Sequence, residues 1–296
     1  MPSGRLRRPD GRFLKTHLTR TLTMEKRELP FLVILTLPVM IIAVAFFLLP
    51  LVRLTVIAGS GVDGLSAYTA VVTTPRYLES LIATTLLAAI VTIVTLAISA
   101  VAGLFLERND FIGRNVLISL LTFPLAFPGV VVGFMVIMLA GRQGLIGDIT
   151  KFLTGDKLVF AYSMAGLFLG YVYFSIPRVI LTIMAAAEKL DPALEEAARS
   201  LGASPWRVVR DIILPALKPA LIASGAIAFA TAMGAFGTAF TLATNIDVLP
   251  MVIYTEFTLR ANIAMAAALS IVLGIITWLV LNVARSLAGS TVAAAG

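Results

Sequence analysis

Residues 81–106 read LIATTLLAAIVTIVTLAISAVAGLFL, 26 residues without an Asp, Glu, Lys, Arg or His. A helix needs about 20 apolar residues to cross the hydrocarbon of a bilayer, and this run exceeds that length. Its apolar residues are continuous, not alternating, so a membrane-barrel strand is excluded. Backbone groups without partners are costly in hydrocarbon, which leaves the helix as the spanning form. Five further runs share the character: residues 31–52, 115–140, 158–177, 219–242 and 263–284. The whole chain agrees with this reading. Hydrophobic residues make up 59%, charged residues 13%, and the mean hydropathy is +0.99, whereas soluble domains carry about 25% charged residues. The fold class that follows is an all-α integral membrane protein with six transmembrane helices.

The Lys and Arg residues set the expected orientation. The 23 cations divide 17 to 6 between the two sides when the six runs are threaded in turn. The richer side holds the tail before residue 31, Arg108, Arg178 and the segment from Lys189 to Lys218, so both termini are expected in the cytoplasm. A pI near 10 is then explained by topology and by attraction to anionic lipid, and nucleic acid is not expected as a partner. The first apolar run starts after thirty residues and is too long for a signal-peptide core of about 7–15 residues, so a retained signal anchor is expected. The chain has no Cys, which excludes disulfides, thiolate metal sites and a cysteine nucleophile. Four parts are expected: a basic tail over 1–30, a first helix with an external segment over 31–80, a five-helix core over 81–285, and a tail over 286–296.

Small residues and prolines punctuate the spans. Gly129 with Gly133, and Gly166 with Gly170, allow close helix approach, either inside the subunit or between subunits. Pro124, Pro128 and Pro177 remove backbone donors and permit kinks, whether as hinges or as static packing.

Residues 186–218 form a polar insert between the fourth and fifth runs. Asp191 is a good N-cap before Pro192, and Gly202 is placed to end the helix in a left-handed conformation. Ser204-Pro205 repeats the start signal, and Pro215 is expected to close the second helix. The insert contains Glu196-Ala197-Ala198, then Gly202 after three intervening residues, and Ile212, Leu214 and Pro215 after nine more.

In this pattern the chain resembles the permease subunits of binding-protein-dependent ABC importers of the type I fold, whose hallmark is this EAA loop. The resemblance covers roughly residues 81–285. It implies that Glu196, Ala197, Ala198 and Gly202 form a turn that docks on an ATPase, while Ile212, Leu214 and Pro215 lead back into the fifth span. Further ATPase contacts are implied at Trp206, Arg207 and Arg210, in the variable part of the loop. The implied partners are ABC ATPase subunits, a second permease subunit of the same or a related kind, and an extracytoplasmic solute-binding protein, all at a bacterial inner membrane. ATP and Mg would bind the ATPase; no cofactor and no metal is expected on this chain.

Two further observations suit an externally powered pore. No Gly precedes a Lys, so the G-x4-G-K-[ST] phosphate loop is missing, and the six runs hold no carboxylate or histidine of the kind proton-driven carriers use. The alternatives are an ion-coupled carrier with hydroxyl and backbone ligands, and a membrane enzyme. The single histidine, His17, sits in a basic tail, and no H-E-x-x-H stands in the chain, which weighs against the enzyme.

For the solute pathway, the fifth span offers Thr231, Met233, Gly234, Phe236, Gly237, Thr238 and Thr241, a surface of small and polar groups. The stretch from Met233 to Gly237 and the later Leu249-Pro250-Met251 resemble the branch of permeases for sulfate, molybdate, ferric iron, thiamine, polyamines and phosphonates. Within it, Thr255-Glu256-Phe257-Thr258 resembles the polyamine and 2-aminoethylphosphonate permeases most. Ala235 stands where many members of the branch carry Glu.

Overall fold

A computed structural model describes residues 33–60, 65–242 and 246–288. The basic tail with His17, residues 61–64 of the external segment and the last eight residues lie outside them. All regular structure among the described residues is helical. Helix α1, Val33–Gly59, contains a π-turn at Val44–Leu48 just before Pro50. Pro50 has no N–H to give to the preceding turn, and the wider turn accommodates the mismatch. The described residues up to Val56 form one compact unit, and those from Ile57 form a second.

In the second unit α2 (Ser66–Thr73) precedes the long α3 (Pro75–Arg108), and both start after a non-helical residue, with Pro75 at the first position of α3. The run expected as one helix over 115–140 is broken in two. Helix α4 (Arg114–Thr122) passes into a 3-10 turn at Phe123–Ala126, and α5 (Gly129–Ala140) begins afresh. Pro124 opens the 3-10 turn, and Pro128 drives Phe127 into extended backbone, as the ring of a proline does to the residue before it. Helix α6 (Leu145–Thr154) follows.

Helix α7 (Met164–Ala187) also departs from expectation. It starts after Ser163, whose Oγ accepts from the Gly166 N–H, and it continues past Pro177 for a further ten residues. Arg178 therefore lies inside the fourth span and not on the flank expected to be cytoplasmic. Helices α8 (Pro192–Ser200) and α9 (Pro205–Met233) flank the turn at Gly202. Helix α10 (Phe236–Leu242), α11 (Leu249–Leu259) and α12 (Ile263–Ala288) complete the unit.

Helix α3 packs on α7 and α9; α9 packs in addition on α7 and α12, and α10 crosses α5. Leu87 and Val91 of α3, Val136 of α5, Leu167 and Tyr171 of α7, Phe229 and Met233 of α9 and Leu242 of α10 fill the core. The α5–α10 crossing needs glycine: a Cβ on Gly133 would collide with the Thr241 hydroxyl, and one on Gly129 would stand 3.1 Å from Thr238 Oγ1. The first glycine pair thus serves packing within the subunit. Gly166 abuts the carbonyl of Ala161, and Gly170 abuts Thr238, so the second pair is used internally as well.

Candidate coupling hairpin and membrane cleft

The insert between α7 and α9 is a hairpin built from local capping. Asp191 Oδ1 accepts from the Ala193 N–H at 2.9 Å. At the other end of α8, Gly202 has φ +82° and an open surrounding. Its N–H bonds to Arg199 O at 2.9 Å, and the Ala203 N–H bonds to Ala198 O at 3.0 Å. That pair of bonds is the Schellman arrangement, in which a left-handed residue lets the chain satisfy the last helix carbonyls. Ser204 Oγ then accepts from the Arg207 N–H at 3.4 Å and starts α9.

The underside of the hairpin is apolar. Val208, Ile213 and Leu217 are buried with Val179, Ile183 and Ala187 of α7, and Ala198 and Ala203 pack at the margin. Arg108, at the end of α3, reaches Glu195 of α8. The outer side is accessible. Glu196, Ala197, Gly202, Arg207 and Arg210 are exposed, as are Leu214 and Pro215, whereas Ala198 and Ile212 are half-buried. Leu201 and Trp206, 89% and 69% exposed, add apolar area to the tip. Exposed apolar groups in a rim of charge mark a surface that another protein can cover.

Pro215 does not close the second helix. Helix α9 runs unbroken from Pro205 to Met233, through a π-turn at Val209–Ile213 in which the Leu214 N–H bonds to Val209 O. The widened turn lies just before the proline and takes up its missing donor and its ring. The second arm of the hairpin and the fifth span are consequently one rod.

The seven residues expected along the pathway do not share one face. Thr231 is half-buried, Gly234 is exposed at the break after α9, and Phe236 is exposed at the start of α10. Phe236 stacks with Phe240 and Tyr254 at centroid distances of 5.4 and 5.3 Å. Met233 and Thr238 are buried inside the subunit, which corrects their placement on an open surface: Met233 fills the core, and Thr238 Oγ1 donates to Gly129 O at 3.0 Å. Gly237 and Thr241 are half-buried in the α5–α10 crossing, with Thr241 Oγ1 donating to Thr238 O at 2.9 Å.

Between α7 and α9 lies a cleft of about 260 Å³, lined by Ser175, Arg178, Leu181, Thr182, Ser224, Ile227 and Thr231. Arg178 Nη1 donates to Thr231 Oγ1 at 3.3 Å, and the guanidinium lies 5.1 Å from the centre of the Phe174 ring. In the sequence Arg178 stands on a flank, because the charge ends the uncharged run at residue 177. Its position one residue after an interior proline in a helical pattern was the available signal.

A second charged cluster stands at the opposite end of α3. Glu256, 1% exposed, accepts from Arg260 Nη1 at 2.8 Å and has Arg76 at 4.0 Å; Arg76 also pairs with Asp247 at 2.9 Å. Close by, the Leu249 N–H donates to Thr84 Oγ1 at 2.8 Å. Together these bonds clip α11 to α3, so Glu256 has a structural task in this chain.

Residues 96–290 match the family described as binding-protein-dependent transport system inner membrane component. The molybdenum transport system permease protein ModB of Escherichia coli K12 is 36% identical over 171 residues, 56% of this chain and 74% of that protein. The sulfate transport system permease protein CysT of Salmonella typhimurium is 34% identical over 179 residues, 60% of this chain and 64% of that protein. Sulfate permease 2 of the Chlamydomonas reinhardtii chloroplast is 32% identical over 203 residues, 66% of this chain and 54% of that protein. Among solved structures, a chain of a bacterial alginate ABC transporter in complex with an alginate pentasaccharide-bound periplasmic protein superposes with a TM-score of 0.77 at 18% identity. The superposition covers 90% of this chain and 96% of that one, and the likeness is one of fold.

Proposed function

We propose, since the chain belongs to the family of binding-protein-dependent transport system inner membrane components, that it is the pore-forming permease subunit of an ATP-driven importer for a small oxyanion. In this reading separate ATPase subunits hydrolyse ATP, a second permease subunit completes the pore, and an extracytoplasmic binding protein delivers the solute. Both termini and the hairpin face the cytoplasm. The observation that carries the mechanism is the continuity of α9: Trp206 of the docking tip stands on the same unbroken helix as Thr231 of the span, with Leu201 and Gly202 in the turn just before it. Push on the tip moves the span, because the hydrogen-bonded ladder of a helix resists bending far more than a loop does. The apolar anchor of Val208 and Ile213 on α7 makes the two spans respond together.

A molybdenum and a sulfate transport permease among the relatives favour an oxyanion solute over the polyamine or 2-aminoethylphosphonate expected from Thr255 to Thr258. The test of the coupling role is Gly202→Asp. Asp is one of the few side chains that tolerate the left-handed conformation, so the chain should insert normally while the new charge at the tip blocks docking. Loss of uptake with unchanged membrane abundance is expected. Normal uptake by this variant would remove the coupling role from the hairpin.

A further inference from the structure

We propose that Arg178, in the cleft between α7 and α9, is a transient binding site for the oxyanion on its way through the membrane; this rests on, and deepens, the oxyanion reading above. Arg178 is the fifteenth residue of the 24-residue α7. Nine residues separate it from the end at Ala187, about 14 Å along the axis. A guanidinium within an apolar span is costly against lipid, and such groups face a water-filled cavity or another protein surface and mark ion pathways. Arg178 is exposed, and no carboxylate pairs with it among the described residues. Its one hydrogen bond among the described residues is to Thr231, which leaves most of its five donors without a protein partner there.

The surroundings orient that charge without neutralising it. Phe174 supports the guanidinium face, and Thr231 holds one nitrogen. The hydroxyls of Thr182, Ser224 and Thr231 already donate to helix carbonyls at 2.9, 2.8 and 2.8 Å, so they offer lone pairs to water and the cation remains the anion's direct partner. A planar fork of N–H groups matches two oxygens of a tetrahedral oxyanion. The cleft volume of about 260 Å³ admits one such ion with several waters at roughly 30 Å³ each. One wall of the cleft leads into the hairpin and the other leads out of it. Docking at Gly202 therefore displaces α7 and α9 together with the Arg178–Thr231 contact, and a site of one cation with no second charge releases its anion readily.

The test uses the whole transporter, with its second permease, ATPase and binding protein, in proteoliposomes, and follows uptake of labelled molybdate and sulfate beside ATP hydrolysis stimulated by the loaded binding protein. R178Q should lower uptake about 10- to 100-fold, the worth of a charge-assisted hydrogen-bond pair, while stimulated hydrolysis persists; R178K should fall between. Uptake by R178Q within about twofold of wild type overturns the site, since a charge-assisted bond is worth more than that. If R178Q is not recovered in the membrane, R178K decides: a loss of at least about fivefold supports the site, and an unchanged rate overturns it. A defect that appears only with anionic lipid present assigns the cation to a lipid phosphate and overturns the proposal. Wild-type protein that carries neither oxyanion fails the oxyanion reading itself, which is distinguishable from failure of Arg178 alone.

Discussion

Arg108, at the end of α3, donates from Nη2 to Glu195 Oε1 at 2.6 Å and so ties the hairpin to a helix that neither enters nor leaves it. Both side chains are largely buried, and Arg199 adds a longer contact to the same carboxylate at 3.9 Å. The hairpin is thus held on two sides, by apolar packing on α7 and by charge on α3.

Arg108→Ala should loosen the hairpin without unfolding the bundle. Loss of a charge-assisted bond between partly buried groups costs about 1–3 kcal/mol. Limited proteolysis should show earlier cutting between residues 188 and 204, and uptake per hydrolysed ATP should fall. Unchanged protection would show that Val208 and Ile213 hold the hairpin by themselves.

Gly202→Ala tests the backbone alone, because nothing lies within 4 Å of the new methyl group. Its expected cost is the left-handed penalty of about 1–2 kcal/mol, and Gly202→Asn should cost less. Thermal unfolding in detergent would rank the two; equal losses would mean that φ does not govern this position.

Gly133→Ala drives a methyl group into Thr241. Overpacking of this kind costs about 1–3 kcal/mol, and Thr241→Ala in the same chain should recover part of it. A double-mutant cycle on melting temperatures measures the coupling. Strict additivity would place the strain elsewhere.

Arg260→Ala should destabilise the α3–α11 clip more than Glu256→Gln does. Removing Arg260 leaves a buried carboxylate with Arg76 at 4.0 Å and the Tyr77 hydroxyl, and buried charge that loses its paired partner costs about 3–5 kcal/mol. The Glu256→Gln change would leave two arginines that are a third to a half exposed and can take water. The reverse ranking in thermal melts would count against a clip centred on Glu256.

The spans were legible in the sequence because length and apolarity act over short windows, and the hairpin caps were legible because Asp191, Gly202 and Ser204 act within four residues of themselves. The breaks were less so. Pro124 and Pro128 announced a disturbance, but only packing decides between a kink and a restart, while Pro177 and Pro215 announced ends that the structure passes through. Arg178 bounds an uncharged run in the sequence but lies inside the span, because a cleft admits a charge there. Arg108 with Glu195, 87 residues apart, and Arg76 with Glu256 have no local register, so only the tertiary fold could bring each pair together.

The π-turn at Val209–Ile213 fixes an angle as well as a path. One additional residue in a helix of about 3.6 residues per turn rotates everything before it by about 100° while changing the length by only about 1.5 Å. Trp206 and Arg207 therefore point where they do, relative to Thr231, because of that single residue. Deleting one residue there would leave a good helix of nearly the same reach whose tip is aimed a quarter-turn away from its partner.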